Sequence, residues 1–296
     1  LSRYFMRVIP TSELIINSDG SIFHLHIRPE HLGDTVILVG DPGRVEMVAS
    51  YFDNQECNIA SREFRTITGT YKGKRMTVIS TGIGTDNIDI VVSELDALAN
   101  IDFATRTEKE EKRVLTLLRL GTSGAIQPDI PLGSFVFARS SVGFDGLLNY
   151  YAGRNEVCDL AIEKAFVEHT GWNPQLPAPY FIDADRDLFE HFKDSVVEGI
   201  TVAAPGFYGP QGRWLRMAPA DKELNAKIES FRYDGRRITN FEMESSALAG
   251  LGALMGHRAG TICTIIAQRA AKDMNTDYKP FVRQMIEMAL DKLAEL

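Results

Sequence analysis

The chain has 296 residues, of which 44% are hydrophobic and 24% charged, a balance typical of a globular protein that buries a sizeable core. Its net charge of −8 argues against a nucleic-acid-binding surface, although a local basic pocket for one phosphate is compatible with it. No run approaches the ~18 consecutive apolar residues that span a bilayer, so we expect no membrane contact. The N-terminal stretch lacks a signal-peptide core, and the three scattered cysteines fit a reducing cytoplasm.

Short apolar runs alternate with helical patterns along the chain. The predicted strands are 35–39, 66–71, 76–80, 114–120, 134–138, 201–204 and 261–267. The predicted helices are 86–99, 157–169, 186–192, 242–255 and 280–294. This alternation predicts an α/β protein with a mixed sheet and helices on both faces. We expect a single domain over 21–296, preceded by a loose arm over 1–20.

The first predicted strand is followed by Gly40-Asp41-Pro42-Gly43-Arg44, after which a helical pattern begins. Such a turn presents backbone N–H groups at a helix N-terminus, which is a natural anion site, and Arg44 adds a guanidinium group. Taken alone, the segment is interpreted equally well as a structural turn. Thr81-Gly82-Ile83-Gly84 follows another predicted strand, and either lines a ligand site or closes a strand–helix connection.

Arg119 lies inside an otherwise apolar predicted strand, where an unpaired charge would be costly. It therefore needs either a carboxylate partner or an anionic ligand. The pattern places Gly121-Thr122-Ser123-Gly124 just past the end of that strand. Open α/β sheets bind ligands at that edge, so its hydroxyl and N–H groups are candidate ligand contacts.

The segment Phe207-Tyr208-Gly209-Pro210-Gln211-Gly212-Arg213 combines two aromatic rings, an amide and a guanidinium in a glycine-rich loop. Gln offers one acceptor and two donors, and Arg offers a rigid fork of donors. Together they can recognise the carbonyl groups and the N–H of a pyrimidine edge, with a ring packed nearby. The alternative is an ordinary polar surface loop.

The segment Phe241-Glu242-Met243-Glu244-Ser245 is predicted to open a helix, with its two carboxylates on different sides of the first turn. A carboxylate that faces inward can hold ribose hydroxyls, although the helix macrodipole alone also favours Glu there. In isolation, His24 in the N-terminal part and Arg62 ahead of the predicted hairpin have no distinctive context.

Taken in order, these segments resemble the nucleoside phosphorylase-I superfamily, and most closely its uridine phosphorylases. The motifs that carry the resemblance are GDPGRV at 40–45, REF at 62–64, STGIG at 80–84, RLGTSGAI at 119–126, FYGPQGR at 207–213 and FEMES at 241–245. The resemblance implies a mixed, partly barrel-like central sheet flanked by helices. It also implies reversible phosphorolysis of uridine to uracil and ribose 1-phosphate in pyrimidine nucleoside salvage. Inorganic phosphate is then the co-substrate, with no metal or organic cofactor.

The resemblance assigns roles to individual residues of this chain. The phosphate-binding residues would be Gly40, Arg44, Arg62, Arg119 and Thr122. The ribose-binding residues would be His24, Met243 and Glu244, and the base-binding residues Phe207, Gln211 and Arg213. Catalysis would be carried by Arg119, Arg213, Gln211 and Glu244, with Tyr208 and Glu242 behind them. Because His24 and Arg62 would reach a neighbouring subunit, the resemblance implies a homo-oligomer whose minimal active unit is a dimer.

The chain departs from the bacterial uridine phosphorylases at three places. Glu63 matches their interfacial potassium site, but Asn87 stands where many have Ser, which argues against potassium. The order Gly209-Pro210-Gln211 replaces a common PGQ. The highly charged segment 103–113 is longer than in the bacterial enzymes and is predicted to be a solvated loop or helix end.

Three alternatives remain beside this interpretation. Purine nucleoside phosphorylases of the same superfamily commonly have an Asp near the end of the late strand, whereas 265–269 contain no acid and the next one is Asp273. A hydrolytic nucleosidase would have little use for three phosphate-directed arginines. A non-catalytic nucleoside-binding protein is expected to have a broken phosphate site beside an intact base pocket, whereas this sequence contains the motifs of both.

Overall fold

The computed structural model describes residues 6–269 and 272–296, apart from the side chain of Asp273. The chain divides into two compact units. Unit 1 comprises the described residues up to Gly82 together with Ile90–Thr116, and unit 2 comprises Ile83–Asp89 and the described part of Leu117–Leu296. Over these described ranges, none of the helices has both the length and the apolar character needed to cross a bilayer.

Unit 1 contains a sheet of mixed direction and a short separate hairpin. Its strands are β1 (Thr35–Val39), β2 (Asn54–Ser61), β3 (Phe64–Tyr71), β4 (Lys74–Ser80), β5 (Ile101–Asp102) and β6 (Thr107–Glu108). Its helices are α1 (Pro42–Ala49) and α2 (Thr85–Asn100), of which α2 starts in unit 2. The sheet order is β1-β4-β3-β2, with β1 parallel to β4 and the other two pairs antiparallel.

The helices and strands of unit 1 follow from local features of the sequence, namely apolar runs, helix caps and helical spacing of apolar residues. Every residue of β1 is buried, which is why this strand is a continuous apolar run. Helix α1 begins with Asp41 as N-cap and Pro42 in its first turn, a favourable start. In α2, Val91, Leu95 and Leu98 are buried at helical spacing, so one face of the helix packs inward.

The described part of the N-terminal segment is anchored to the charged segment 103–113. In that segment, 103–106 form the turn of the β5–β6 hairpin and Thr107–Glu108 its second strand, whereas 109–113 are loop, as predicted. Arg106 lies at the turn with a φ of +57°. The Arg106 guanidinium donates to the backbone carbonyls of Ile9, Pro10 and Leu14. Over residues 6–20 the predicted loose arm is therefore held by backbone contacts, and Leu14 is buried.

Unit 2 contains the longer strands and most of the helices. Its strands are β7 (Thr116–Ala125, of which Thr116 belongs to unit 1), β8 (Phe135–Gly143), β9 (Tyr180–Asp183), β10 (Val197–Ala203), β11 (Arg232–Tyr233), β12 (Arg236–Glu242), β13 (Arg258–Gln268) and β14 (Asp273–Met274). Its helices are α3 (Arg154–Val157), α4 (Leu160–Thr170), α5 (Arg186–Phe192), α6 (Leu224–Ser230), α7 (Ser245–Met255) and α8 (Lys279–Ala294).

The sheet of unit 2 closes on itself. Its strands follow the order β12-β10-β8-β13-β7, and β7 pairs back onto β12 through Gly124↔Phe241 and Ala125↔Asn240. Strand β10 is parallel to both β8 and β12, whereas β13 is antiparallel to β8 and β12 is antiparallel to β7. The predicted α/β class with a mixed, partly barrel-like sheet is therefore confirmed. Closure brings residues of β7, β12 and β13, distant in sequence, to one place.

An aromatic core supports this closed sheet on one side. The Phe166 ring of α4 packs edge-to-face against Phe181 at 5.4 Å and Phe231 at 5.2 Å between centroids, and all three are buried. Burying one such ring contributes about 1.5–3 kcal/mol. Val142, Ile200 and Val202 from β8 and β10 complete the same cluster.

Two predicted boundaries are wrong, and both lie in the motifs that contain candidate site residues. The strand predicted to end at Leu120 continues through Gly121-Thr122-Ser123-Gly124 to Ala125, and its last two residues pair with β12 in the closed sheet. The helix predicted to open at Glu242 begins at Ser245, and Glu242 is the last residue of β12. Strands β2, β9 and β12 were not predicted at all.

Candidate active site

A buried arginine and two carboxylates meet inside unit 2. The Arg119 guanidinium on β7 lies 2.7 Å from Oε2 of Glu244 and 3.2 Å from Oε2 of Glu242. Its Nη1 also lies 3.6 Å from Sγ of Cys263 on β13. All four residues are buried. The sequence left two possible partners for Arg119, a carboxylate or an anionic ligand. The structure shows that carboxylates neutralise its charge.

The electrostatics of this cluster follow from its burial. Burial opposes the charge on Arg119, but Glu244 and Glu242 outweigh it, so the pKa of Arg119 lies above its usual value. Burial raises the pKa of Glu242 to about 7, against the opposing effect of Arg119. Burial likewise raises the pKa of Cys263 to about 12, which keeps the thiol neutral. The guanidinium is thus held in place as a permanent cation.

Glu242 shapes the turn that presents Glu244. Its carboxylate accepts the backbone N–H of Glu244 at 2.9 Å and that of Ser245 at 2.8 Å. Glu244 in turn accepts the backbone N–H of Gly84 at Oε1, at 3.0 Å, and Arg119 at Oε2. Each carboxylate oxygen has a further lone pair, so Glu244 can still accept a hydroxyl. Met243, between the two acids, is half-buried.

Gly121 lies under the Arg119 side chain. Residues two apart share a strand face, and a Cβ at Gly121 would collide with the Arg119 guanidinium. The glycine therefore allows the guanidinium to lie flat along its own strand. Thr122 follows, half-buried, whereas the Ser123 hydroxyl accepts from Asn240 at 2.9 Å and so supports the sheet closure.

The loop 205–213 of unit 2 brings its aromatic, amide and guanidinium groups together. The Arg213 guanidinium lies over the Phe207 ring, 3.7 Å from its centroid. Its Nη1 donates to the carbonyl of Phe207 and to Oε1 of Gln211, both at 2.6 Å. Gln211 is only 3% exposed, whereas Tyr208 is 53% exposed. Phe207, Gln211 and Arg213 thus form one group, and the polar-loop alternative does not account for a buried Gln.

Arg269 is a residue that the sequence pattern did not single out. Its Nη2 donates to the backbone carbonyl of Gln211 at 2.8 Å, and its Nη1 is buried without a hydrogen-bond partner in the described part of the chain. Burial, together with the nearby charge of Arg269, lowers the pKa of Arg213 to about 10. Burial also lowers the pKa of Arg269. An Arg directly after a buried strand was the available signal, as an Arg inside a buried strand was for Arg119.

A cavity of about 460 Å³ adjoins this group. Arg213, Arg269 and Lys272 line it, with Ile126 and Ala267 among its apolar residues. Gln268, also in the lining, donates through Nε2 to the carbonyls of Gln127 at 3.0 Å and Ile130 at 2.8 Å, so its amide serves the fold. The side chain of Asp273 lies outside the described residues. The structure therefore does not test whether Asp273 is the acid expected of a purine nucleoside phosphorylase.

The remaining candidate phosphate ligands lie in unit 1. Gly40 follows β1 and accepts the N–H of Gly82 at 3.0 Å. Arg44 lies in the first turn of α1, where the Asp41 carboxylate already caps the N–H of Gly43 at 2.9 Å. Arg62 is exposed at the turn between β2 and β3, with a φ of +54°. Because Asp41 already accepts from this N-terminal N–H group, we expect an anion there to bind to the guanidinium of Arg44 rather than to the helix N-terminus.

His24 also lies in unit 1 and contacts Glu94 of α2. Its backbone N–H donates to Glu94 Oε1 at 2.6 Å, and its Nδ1 lies 3.3 Å from the same oxygen. The Phe23 ring packs edge-on against it at 4.6 Å. Across the described residues, no cluster of three or more His, Cys, Asp or Glu side chains has the arrangement of a metal site.

Known proteins match this chain over most of its length. A family model described as the phosphorylase superfamily matches residues 34–296. A uridine phosphorylase of Thermococcus kodakarensis is 31% identical over 264 residues, which are 86% of this chain and 80% of that protein. A guanosine phosphorylase of Halorubrum lacusprofundi is 26% identical over 82% of this chain and 81% of its own.

A solved structure is also similar to this fold. It is a nucleoside phosphorylase of Trypanosoma brucei that shows uridine phosphorylase activity. The TM-score is 0.86 at 28% identity, and the alignment covers 96% of this chain and 100% of that one. With a family model matched over most of its length, this chain belongs to the phosphorylase superfamily and is an enzyme.

Proposed function

We propose that this protein is a uridine phosphorylase, a pentosyltransferase that converts uridine and phosphate reversibly into uracil and ribose 1-phosphate. The observation that carries the proposal is the group formed by buried Gln211, Arg213 over the Phe207 ring, and Arg269. An amide and two guanidinium groups suit a small ring with two carbonyl oxygens and one N–H. The relatives with uridine phosphorylase activity support the same substrate.

The ribose would be held by Glu244. Its carboxylate is fixed from both sides, by the N–H of Gly84 and by Arg119, so it is oriented before substrate arrives. It accepts hydrogen bonds from the ribose hydroxyls, and Met243 packs beside the sugar. His24 of a neighbouring subunit approaches the 5′-hydroxyl in this assignment.

Cleavage of the N-glycosidic bond passes through an oxocarbenium-like sugar, as in glycoside hydrolysis. The phosphate dianion stabilises that cation and then attacks it, so the reaction needs no protein nucleophile. Gly40, Arg44, Arg119 and Thr122 are the proposed phosphate ligands, and Arg62 of the neighbouring subunit completes them. The reaction balances without a cofactor, because the sugar–nitrogen bond to uracil is replaced by a sugar–oxygen bond to phosphate and the proton of the hydrogen phosphate dianion passes to the departing base.

The leaving uracil gains negative charge on its carbonyl oxygens. Arg213 and Arg269 form no ion pair with a carboxylate in the described part of the chain, and Arg213 is the donor assigned to that oxygen. Hydrogen bonds that strengthen as charge develops lower the barrier rather than merely tightening substrate binding. Gln211 would fix the ring by pairing with one carbonyl and the N–H.

A purine substrate is the main alternative, and the guanosine phosphorylase relative favours testing it. The experiment is base release from uridine and from inosine, each with and without phosphate. Phosphate-dependent release of uracil alone is the expected result. Release without phosphate would indicate a nucleosidase and remove the roles of Arg44, Arg62 and Arg119. Activity on inosine instead would discard the assignment of Gln211 and Arg213.

The roles proposed for His24 and Arg62 in the site of a neighbouring subunit lead us to propose a homo-oligomer with a dimer as its smallest active unit. Scattered cysteines without metal-binding spacing favour a cytoplasmic enzyme of pyrimidine nucleoside salvage. Activity measured across a dilution series with sizing tests the assembly. An active monomer would contradict it.

A further inference from the structure

A buried carboxylate fixes both the backbone and the ring of His24. Oε1 of Glu94 accepts the backbone N–H of His24 at 2.6 Å and lies 3.3 Å from Nδ1 of the ring. The backbone N–H of Leu25 also contributes to the same carboxylate. Glu94 lies in the middle of α2, and both residues belong to unit 1. One side chain thus holds a short turn and the imidazole that it carries.

Burying the carboxylate of Glu94 is costly if its only role is to hold a turn. Its residue exposure is 9%, and burial raises the pKa of its carboxyl group. A buried carboxylate is retained at low cost only when its lone pairs are satisfied. Here the donors are the backbone N–H groups of residues 24 and 25 and the ring of His24. The imidazole contact is made in addition to the backbone bonds that hold the turn.

The contact determines which ring nitrogen can meet a ligand. A carboxylate only accepts, so Nδ1 carries the proton that faces Glu94 and Nε2 is left for another partner. The Phe23 and Phe64 rings lie edge-on to the imidazole at 4.6 and 6.5 Å and limit its rotation. The His24 side chain remains 27% exposed. The imidazole is therefore oriented before any ligand arrives.

We propose that Glu94 is the positioning residue for His24, setting the tautomer and direction with which Nε2 meets the 5′-hydroxyl of a nucleoside bound in the neighbouring subunit. This inference rests on the proposed function, because it uses the role assigned there to His24. Glu94 does not touch the substrate. Its effect is confined to the part of the substrate that His24 contacts.

The test compares uridine with 5′-deoxyuridine, which lacks only the hydroxyl in question. The quantity is the ratio of kcat/KM for the two substrates, which does not depend on how much of a variant is folded. We expect Glu94→Ala to lower this ratio by up to about tenfold, the upper end of the usual effect of losing one hydrogen bond between neutral groups, and to match His24→Ala. The kcat/KM for 5′-deoxyuridine per folded enzyme should stay within about threefold of wild type.

Two further variants sharpen the test. Glu94→Gln keeps an acceptor oxygen for Nδ1–H, so its ratio should remain within about threefold of wild type. Asp96→Asn is the matched control, because Asp96 lies on the same helix and its carboxylate accepts from Asn100 of that helix at 2.9 Å. Its ratio should equal that of wild type.

The outcomes separate this inference from the function on which it rests. Equal losses on both substrates in Glu94→Ala, with an unchanged ratio, would make Glu94 a structural residue and overturn the inference. A wild-type enzyme that discriminates between the substrates, but whose Glu94→Ala variant discriminates equally well, would overturn it too. A wild-type enzyme that cleaves neither substrate would instead contradict the proposed function.

Discussion

Two arginine environments in unit 2 differ in how their charge is balanced. Arg119 meets two carboxylates, at 2.7 and 3.2 Å, and its pKa lies above the usual value. Arg213 and Arg269 have no carboxylate partner in the described residues, and burial together with their mutual repulsion lowers the pKa of Arg213 to about 10. The charge of the first environment is balanced without a ligand, although Nε of Arg119 is buried without a hydrogen-bond partner in the described residues. The second carries an excess of positive charge.

The difference shows how one closed sheet can hold one cation whose charge is already paired with carboxylates and two others whose charge is not. A buried, neutralised Arg119 orients Glu244 and belongs to the fold as much as to the site. The charges of Arg213 and Arg269 reduce stability when the site is empty and favour a ligand that becomes negative. In the proposed reaction, that ligand is the departing uracil.

The largest expected effect comes from removing the balanced cation. Arg119→Ala leaves Glu242 and Glu244 buried without their counterion, so we expect the free energy of unfolding to fall by about 3–5 kcal/mol. Urea denaturation measures this. Arg258→Ala, at the exposed start of β13, is the control and should change stability by less than about 0.5 kcal/mol. Wild-type stability in Arg119→Ala would refute the balanced pairing.

Arg213→Ala should show the reverse pattern, with activity lost and stability kept. The loss of a donor to developing charge typically costs about 2.7–4 kcal/mol of transition-state stabilisation. We therefore expect kcat/KM for uridine to fall by about 10² to 10³, with the unfolding midpoint unchanged or raised. Arg216→Ala, an exposed arginine three residues later, is the matched control. An unchanged kcat/KM in Arg213→Ala would remove the base-site assignment.

Arg269→Ala should have a smaller effect, because Arg269 supports the loop through one bond to the Gln211 carbonyl. We expect kcat/KM for uridine to fall about tenfold, as for the loss of one charge-assisted hydrogen bond. Lys272→Ala serves as the control, since Lys272 is an exposed cation in the lining of the same cavity. Equal losses of kcat/KM in Arg269→Ala and Lys272→Ala would contradict this. They would show that the net positive charge of the cavity, and not the bond to Gln211, supports activity.

The last prediction concerns the pH dependence of stability in the environment of Arg119. Burial raises the pKa of Glu242 from 4.5 to about 7, so between these values the folded state keeps a proton that the unfolded state has lost. Stability should therefore fall as pH rises through this window, by at most roughly 1.4 kcal/mol per pH unit from this group. Glu242→Gln should remove that contribution. If the free energy of unfolding depends on pH identically in wild type and in Glu242→Gln, the pKa of Glu242 is not raised in the folded state.

The sequence predicted the need of Arg119 for a partner, because a charge inside an apolar strand is costly until an opposite charge neutralises it. It did not predict the identity of the partner. Glu242 and Glu244 are more than a hundred positions away, and only the closure of β7 onto β12 brings them near. The same closure accounts for the misplaced strand end, since Gly121-Thr122-Ser123-Gly124 looks like a turn until its ladder partners are known.

Local patterns predicted β1, β3, β4, α2 and α8 nearly to the residue, because each has a continuous apolar run or a clear helical face. Strand β2 is largely exposed and polar, so no periodicity marks it. Arg269 was not predicted because its contact with the 205–213 loop depends on tertiary structure. The grouping of Phe207, Gln211 and Arg213, by contrast, was foreseeable from their glycine-rich spacing.

The central claim is that the excess charge of Arg213 and Arg269 stabilises negative charge on the leaving base. The most direct measurement is kcat/KM for uridine and 5-fluorouridine in wild type and in Arg213→Ala, because fluorine makes the leaving base a stronger acid that needs less stabilisation. We predict that the deficit of Arg213→Ala is clearly smaller with 5-fluorouridine than with uridine. An equal deficit for both substrates would mean that Arg213 binds the base without stabilising its charge, and would contradict the claim.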